Sequence, residues 1–331
     1  MSDNQEISAM APRLGLSQEG VAKLGGFGVL RESVRLFGSL HPSLVWIQFA
    51  LVLPYSLYLI VVAIYAQLAI LHALFPNLPP SPAGVPVPAW DDFGNLDQSK
   101  WLGFLLLVVL VRFCIGLVVL GTVFYAVGAI YYGRNATFSE VVHSVPRLWS
   151  RLFVTAIVEI LLAMSVGVVY GIFIVIFQFT LPSDLLLLLV SIVGVISLIS
   201  VFIINLMYQV ANGVTCFEDH CGITSFRKGK HLLHDKWGSA VFLFILLLIP
   251  AILVGLLADF PVRLTAEFHF RWLVLKIIYV ILTSYLTELG FISWAVFYFS
   301  CAANYKLNVA PTQPDDQLEK QSFFAVTVEM S

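Results

Sequence analysis

The stretch Leu185–Thr215 decides the fold class, because its 31 residues read LLLLLVSIVGVISLISVFIINLMYQVANGVT without one charged side chain. A helix needs about 20 apolar residues to cross a hydrocarbon core about 30 Å thick. Backbone groups find no water in that core, so a crossing segment must bond to itself as a helix. The stretch is therefore predicted to be a membrane-spanning helix.

Five further apolar blocks accompany this one. The chain is 59% hydrophobic and 11% charged, and its charges cluster between the blocks. The six predicted spans are residues 44–71, 101–131, 152–180, 185–215, 240–257 and 272–302. We therefore predict an all-α polytopic membrane bundle of six transmembrane helices. The membrane domain is placed at residues 29–307, between a cytosolic tail at residues 1–28 and a disordered cytosolic tail at residues 308–331.

The distribution of Lys and Arg predicts the orientation. With both termini in the cytosol, 13 of the 18 basic residues lie on the cytosolic side, and only Lys100, Arg263 and Arg271 lie opposite. Arg112 and Lys276 fall within spans. Cytosolic segments of membrane proteins carry an excess of Lys and Arg. We therefore expect both termini in the cytosol, in the endoplasmic reticulum, another endomembrane or the plasma membrane.

The segments ahead of the odd-numbered spans share a pattern. Two large residues lie 11 positions apart in each, in the pairs Leu30–His41, Phe138–Trp149 and Phe226–Trp237. The string VFY occurs at residues 123–125 and again at residues 296–298, in the second and sixth spans. We predict three pseudo-repeats, each an amphipathic helix followed by a transmembrane hairpin. Chance similarity among apolar, aromatic-rich helices is the alternative.

Two of these segments combine apolar residues at helical spacing with flanking cations. Such a helix lies in the headgroup layer, with its apolar side in acyl chains and its cations near anionic lipid. The predicted membrane-interface residues are Phe138, Arg147, Trp149, Arg151, Phe226, Arg227, Lys228, Lys230 and Trp237. The alternative is a set of basic loops with aromatic anchors. Both interpretations place Trp149 and Trp237 at the interface.

Polar side chains within the spans are candidates for function, because they are costly in hydrocarbon. Arg112 and Glu159 lie at nearly the same depth on consecutive spans, so we predict a buried ion pair with a structural or a transport role. A second predicted patch consists of Asn205, Gln209, Asn212 and Glu288. It either binds a cation, a proton or a lipid headgroup, or forms an interhelical hydrogen-bond network.

Histidine and cysteine residues crowd one cytosolic connection without a standard zinc spacing. They are Cys216, His220, Cys221, His231 and His234. No catalytic motif with a plausible helical context occurs in the sequence. We therefore expect no enzyme activity, no metal, no cofactor and no nucleic-acid partner.

Several of these segments carry a family resemblance. They read YAVGAIYYG at residues 125–133, YQVAN at residues 208–212 and FED at residues 217–219, and they include the pair Phe138–Trp149. In them the chain resembles a plant family of uncharacterised six-span proteins, some labelled with a polyadenylate-binding-protein partner. It is more distantly similar to the membrane domain attached to some bacterial glycerophosphodiester phosphodiesterases. The resemblance implies a plant origin and a non-catalytic membrane module, and it supplies no site residues.

The predicted function follows from the interfacial segments. We expect a multi-pass protein that organises lipid or protein partners through cytosolic interfacial helices, with anionic lipids as the partners on that side. The first alternative is a small-solute or ion transporter that uses Arg112, Glu159 and Glu288. A lipid-modifying enzyme is the third class.

Overall fold

The computed structural model describes residues 18–38, 50, 52–54, 98–131, 138–178, 182–218, 220–264 and 269–309. Within these ranges the chain is almost entirely helical and contains no strand. In chain order the helices are α1 (Gln18–Ala22), α2 (Gly26–Gly38), α3 (Gln98–Tyr131), α4 (Phe138–Gln178), α5 (Ser183–Phe217), α6 (Ile223–Leu233), α7 (Trp237–Leu264) and α8 (His269–Val309). A 3₁₀ turn at His234–Lys236 joins α6 to α7. The predicted all-α class is confirmed.

Five segments of the described chain are long and apolar enough to cross a bilayer. They are Val109–Tyr131, Ser139–Gln178, Leu185–Phe217, Ile223–Leu256 and Ile277–Tyr305. Their most apolar windows have mean hydropathies of 1.5 to 3.0. The chain is therefore a multi-pass membrane protein. These segments correspond to the second to sixth predicted spans, whereas the first, residues 44–71, lies outside the described residues apart from 50 and 52–54.

The third predicted span and the amphipathic segment before it form one continuous helix. Helix α4 has 41 residues and contains Pro146. A proline inside a helix removes one backbone hydrogen bond and often kinks or ends it, but the flanking residues of α4 remain helical. The segment ahead of the fifth span differs, because α6 is a separate helix of 11 residues that ends at the 3₁₀ turn.

The buried core lies where α3, α5 and α8 contact one another. Phe124, Leu206, Phe297 and Tyr298 are among its fully buried side chains. All four belong to the C-terminal halves of these helices, so the core occupies one end of the bundle. Helices α1, α2 and α6 and the first turns of α4 lie at the same end. We call it the basic end, because exposed Lys and Arg side chains surround it.

The packed part of the chain includes residues from the predicted N-terminal tail. Helix α1 packs against α8, and α2 packs against α7 and α8. Ala22 and Val29 are buried in these contacts. At the other terminus α8 continues to Val309, and the predicted tail beyond it lies outside the described residues.

Candidate membrane-interface site

Helix α6 begins at a glycine that the backbone requires. Gly222 has a φ of 62°, in the left-handed region that favours glycine. A Cβ at this position would also lie 3.2 Å from Cγ1 of Val154 on α4. The Gly222 N–H donates to the Thr155 hydroxyl at 3.0 Å. The chain thus reverses direction after α5, and α6 starts against α4.

The apolar face of α6 packs closely on α5. A Cβ at Gly229 would lie 3.3 Å from the Ala211 nitrogen and 3.4 Å from the Met207 carbonyl oxygen. The ring of Phe226 stacks on Tyr208 with centroids 6.3 Å apart, and Phe226 is 4% exposed. From the amphipathic pattern of the Phe226–Trp237 segment, the sequence predicted that Phe226 contacts acyl chains. In the structure the ring instead fills the space between two helices of the protein.

The carboxylate of Glu218, directly after α5, connects neighbouring helices. It is buried and forms an ion pair with Lys228 of α6. The Tyr298 hydroxyl of α8 donates to Glu218 Oε1 at 2.9 Å. The Arg151 guanidinium of α4 donates to the Glu218 backbone carbonyl. Because a buried carboxylate needs charges and donors around it, Glu218 holds α4, α6 and α8 at the end of α5.

A group of buried hydroxyls supports the same junction. The oxygens of Thr155 on α4 and Thr215 on α5 are 2.9 Å apart. Thr215 lies 3.0 Å from the Ser225 hydroxyl on α6. All three side chains are fully buried, and each has a hydrogen-bond partner within the group. Buried polar groups that satisfy one another in this way specify one arrangement of the helices that carry them.

Aromatic rings and glycines set the helix spacing beside this junction. Phe217 stacks on Phe124 and on Tyr298, with centroids 6.2 Å and 5.3 Å apart. Gly128 lies against the Phe217 ring and Gly213 against the Tyr298 ring, and neither position has space for a Cβ. Small residues allow close approach of helices in membranes. The contacts of α3, α5 and α8 therefore depend on these two glycines.

The side chain of Lys236, in the 3₁₀ turn, anchors the N-terminal segment. Its Nζ donates to the Ala22 carbonyl at 2.6 Å, to the Leu24 carbonyl at 3.1 Å and to the Ser300 hydroxyl at 2.5 Å. The carbonyls at the end of a short helix lack partners within it. Lys236 satisfies two carbonyls at and after the end of α1, and so links that segment to α8.

Further basic side chains of the basic end are exposed at its surface. On α6 and the 3₁₀ turn, Arg227, Lys230, His231 and His234 are exposed. On α4, α2 and the turn before α2, the exposed basic side chains are His143, Arg147, Lys23, Arg31 and Arg35. We call the exposed Arg and Lys side chains of these two groups, Lys23, Arg31, Arg35, Arg147, Arg227 and Lys230, the cationic surface. Arg and Lys side chains bind phosphate and carboxylate oxygens, so this surface suits an anionic partner.

The residues predicted at the membrane interface take different positions. The structure places Arg147, Arg227 and Lys230 on the surface, Trp149, Phe226 and Trp237 against the core, and Arg151 and Lys228 beside Glu218. The side chain of Phe138 lies outside the described residues. Among the predicted interface residues, the exposed cations in the described structure are thus Arg147, Arg227 and Lys230.

The intramembrane acid of α4 contacts an amide. The Glu159 carboxylate interacts with the side-chain amide of Asn205 on α5. The predicted Arg112–Glu159 ion pair stays a prediction, because the side chain of Arg112 lies outside the described residues. The structure thus brings together two residues that the sequence had assigned to different groups.

Glu288 of α8 lies in a contrasting environment. It is fully buried, and within the described part of the chain neither carboxylate oxygen has a hydrogen-bond partner. Within the described residues, the same holds for the Ser284 hydroxyl one turn earlier. The predicted patch of Asn205, Gln209, Asn212 and Glu288, either as a ligand site or as an interhelical hydrogen-bond network, stays a prediction.

Gln209 instead lines a crevice between α5, α7 and α8. The crevice has a volume of about 250 Å³. Its walls are mainly apolar and include Phe244, Leu247 and Trp294. Gln209 and Thr287 contribute the polar side chains.

The histidines and cysteines of the connection after α5 do not converge. Cys216 is half-buried, whereas His220, Cys221, His231 and His234 are exposed. In the described ranges, no three His, Cys, Asp or Glu side chains come close enough together to hold a metal ion.

Residues 14–326 of the chain match a family model described as Domain of unknown function (DUF8558). The chain belongs to this family. No curated protein and no solved structure matches it. The DUF8558 match includes every described helix from α1 to α8. The basic end, the crevice and the buried glutamates are therefore all parts of the family's domain.

The residues that organise the basic end of this DUF8558 domain were not identified from the sequence as a site. Glu218 and Tyr298 are 80 positions apart, and Lys236 is 214 positions from Ala22. A signal does exist, since Glu218 directly follows a span with no charged residue, and an acid there is unusual beside so many cations. Its partners depend on which helices are neighbours.

Proposed function

We propose that this protein is a non-enzymatic multi-pass membrane protein that binds anionic lipid headgroups through the cationic surface at its basic end. The two different faces of helix α6 support this proposal. Its apolar face is packed on α5, whereas Arg227 and Lys230 are exposed. A helix anchored in this way presents its cations from a fixed position. Each cation near an anionic bilayer contributes about 1 kcal/mol.

The level of α6 along the bundle also supports the proposal. Gly229 contacts α5 at Met207 and Ala211, which lie 24 and 28 residues after Ser183. At a rise of about 1.5 Å per residue, they are about 36 to 42 Å from Ser183. The hydrocarbon core is about 30 Å thick, and the bilayer with headgroups about 40 to 45 Å. With the charged Asp184 outside the hydrocarbon on one side, α6 lies at headgroup level on the other.

The orientation belongs to the same proposal. The basic end faces the cytosol, both termini are cytosolic, and residues 44–71 supply the sixth span. The excess of Lys and Arg in the segments at this end supports that orientation. Anionic lipids are concentrated in cytoplasmic leaflets, so the cationic surface faces its partner in an endomembrane or the plasma membrane.

Cysteine labelling tests the orientation. Cysteines introduced at Ser81 and Ser322 are expected to react with an impermeant reagent from opposite sides of sealed vesicles, with Ser322 on the cytosolic side. Labelling of both from one side contradicts the six-span topology.

We also propose the three-fold repeat as the basis of the cationic surface. Each predicted amphipathic segment packs against an even-numbered span: α2 on α8, the first turns of α4 on α3, and α6 on α5. Each amphipathic segment thus contacts the second span of the unit before it. The first segment contacts the second span of the third unit, so that the three units close into a ring. Such a closed ring places the cations of all three units around one end.

A small-solute or ion transporter is the second candidate. The observation that favours it is Glu288, whose buried carboxylate has no hydrogen-bond partner. Intramembrane acids without partners often mark ion pathways. Arg112 and Glu159 complete the polar set on which this candidate rests.

Lipid binding by the full-length protein tests the main proposal. The double variant Arg227→Gln, Lys230→Gln is compared with the wild type in nanodiscs that contain anionic and neutral phospholipids. Retained lipid is counted by native mass spectrometry. At about 1 kcal/mol per cation, the loss of two is expected to weaken anionic-lipid binding on the order of thirtyfold. High salt is expected to reduce the difference.

A control variant that loses the same number of charges elsewhere distinguishes an effect of the cationic surface from an effect of the protein's net charge. Arg263→Gln with Arg271→Gln removes two cations near the opposite end of the bundle. This variant is expected to retain anionic lipid at the basic end as the wild type does. Equal retention by all three proteins would refute the assignment of the cationic surface.

A further inference from the structure

The crevice between α5, α7 and α8 has the shape and position of a site for a single chain. Its volume of about 250 Å³ lies just below the range of small-molecule pockets. On α8 its lining runs from Trp294 through Phe291 to Thr287. These eight positions extend over about 10 Å at 1.5 Å per residue. The crevice therefore follows α8 along the bundle.

The crevice opens to lipid. Leu248 of α7 lines it and is itself 41% exposed. Ile245 and Ile252, on the same face of α7, are also exposed. All three lie within a segment apolar enough to cross the membrane. The medium outside the crevice is thus hydrocarbon, and the molecules that can enter from it are lipids.

One end of the crevice lies at the polar boundary of the bilayer. Gln209 is 26 residues after Ser183, or about 39 Å along α5. This distance exceeds the hydrocarbon thickness of about 30 Å and falls within the headgroup region. Gly213 of α5 faces Tyr298 of α8, and both helices end at the basic end. Thr287 therefore lies deeper in the bilayer than Gln209.

The amide of Gln209 has capacity for a ligand. In the described structure its side chain forms no hydrogen bond. A primary amide offers two donors and an acceptor. The hydroxyl of Thr287, the other polar group of the crevice, already donates to the Thr283 carbonyl at 2.8 Å. Gln209 is therefore the group that can recognise a polar atom at the mouth of the crevice.

We propose that this crevice holds one acyl chain of a membrane glycerophospholipid, whose ester carbonyl accepts a hydrogen bond from Gln209. The ester group of such a lipid lies in the interfacial layer outside the hydrocarbon, and the position of Gln209 along α5 is also outside the hydrocarbon. The chain then extends along Phe244, Leu247 and Phe291 toward the bilayer centre. This site recognises the ester and the chain, so it goes beyond the headgroup binding proposed above and does not depend on it.

A glycine in the wall provides a variant that closes the site. Gly290 lines the crevice, and a Cβ there would have no heavy atom within 4 Å. The Cβ of Gly290→Leu therefore has space, the rest of the side chain is expected to fill the crevice, and the change improves helix propensity. Gly167→Leu is the matched control, because Gly167 is also helical, also has open space around it and lies on α4, away from the crevice.

The test uses full-length protein in nanodiscs with phosphatidylcholine that carries a diazirine in one acyl chain. After irradiation, labelled residues are mapped by mass spectrometry. Labelling is expected at Leu247, Leu248 and Phe291. Gly290→Leu is expected to lower it roughly tenfold, and Gly167→Leu to leave it unchanged. Gln209→Leu, which keeps the apolar volume, is expected to lower it about fivefold, the effect of one hydrogen bond.

Two outcomes overturn the proposal. One is labelling spread over all exposed faces of α7 that Gly290→Leu does not change, since it would come from lipid around the protein. The other is labelling of the crevice by a diazirine sterol and not by the phospholipid. The double variant Arg227→Gln, Lys230→Gln is measured in the same experiment. It is expected to lower the retention of anionic lipid and to leave the phosphatidylcholine labelling of the crevice unchanged. The experiments therefore distinguish failure of the acyl-chain proposal from failure of the headgroup-binding proposal.

Discussion

The two ends of the α4–α5 hairpin are stabilised in different ways. At the basic end these helices are joined by Thr155, Thr215 and the contacts of Glu218, all buried. At the other end the recorded hydrogen bond between them runs from the Tyr170 hydroxyl to the Val190 carbonyl, at 3.5 Å. Side chains of α5 there, such as Leu187, are largely exposed. In the described part of this hairpin, specific contacts between the helices thus concentrate at the basic end, whereas the side chains at the other end are largely exposed.

The two buried glutamates sharpen this comparison. Glu218, at the basic end, has the Lys228 ammonium and the Tyr298 hydroxyl as partners. Glu288 is also buried, and within the described residues its carboxylate has no hydrogen-bond partner. A buried charge is tolerated only when it is paired or hydrogen-bonded. We infer that Glu218 stabilises the fold, whereas Glu288 does not.

The largest expected effect is that of Glu218→Ala. The variant leaves Lys228 and Tyr298 without their acceptor. Loss of one partner of a buried pair costs about 3–5 kcal/mol. Since Lys228 is 30% exposed and partly screened by solvent, we expect about 3 kcal/mol. The measurement is the thermal unfolding midpoint of the purified protein in detergent.

Tyr298→Phe is the control for Glu218→Ala. It removes one hydroxyl and keeps the ion pair and the ring stacking on Phe217. The expected loss is about 1 kcal/mol, the value of a single hydrogen bond. If Glu218→Ala destabilises no more than Tyr298→Phe does, the ion pair contributes nothing and the role assigned to Glu218 is incorrect.

The second effect compares glycines at the two ends. Gly128→Ala puts a Cβ into the Phe217 ring, so that the ring or helix α3 must shift. Overpacking of this kind costs about 1–3 kcal/mol. Gly167→Ala, in open space on α4, is expected to raise stability by up to about 1 kcal/mol through helix propensity. Unfolding midpoints that shift in the same direction for both variants would refute the difference between the ends.

The smallest effect is expected for Glu288→Gln. Because the carboxylate has no hydrogen-bond donor to lose within the described residues, we expect an unchanged or slightly higher unfolding midpoint. Glu218→Gln, which loses the Lys228 ion pair, is expected to lower it. A clear loss of stability in Glu288→Gln would mean that Glu288 binds a cation or shares a proton, and would favour the transporter candidate.

The spans were predictable because their cause is local. A run such as Leu185–Thr215 has one stable conformation in hydrocarbon, whatever surrounds it. The boundaries were less predictable. The amphipathic segment before the third span continues into it through Pro146, whereas that before the fifth ends in the turn at His234–Lys236. Both segments have the same periodicity, so their patterns did not distinguish these outcomes.

The candidate site was predictable only in part. Arg147, Arg227 and Lys230 were identified by their charge, and they are exposed as an interfacial role requires. Phe226 and Lys228 have the same local pattern, yet one fills the contact with α5 and the other pairs with Glu218. Periodicity indicates that a helix has two faces, but it does not indicate whether lipid or protein covers the apolar one.

The sequence by itself therefore determined the helical class, the membrane-crossing segments that are described and the concentration of cations at one end. These follow from composition over short stretches, because hydrocarbon enforces internal backbone bonding and excludes charge. Only the tertiary structure decided that Glu218 has partners and Glu288 none, that Lys236 holds the segment after α1, and that Gln209 faces a crevice. Each of these depends on contacts between residues far apart in the chain, which form only once helices become neighbours.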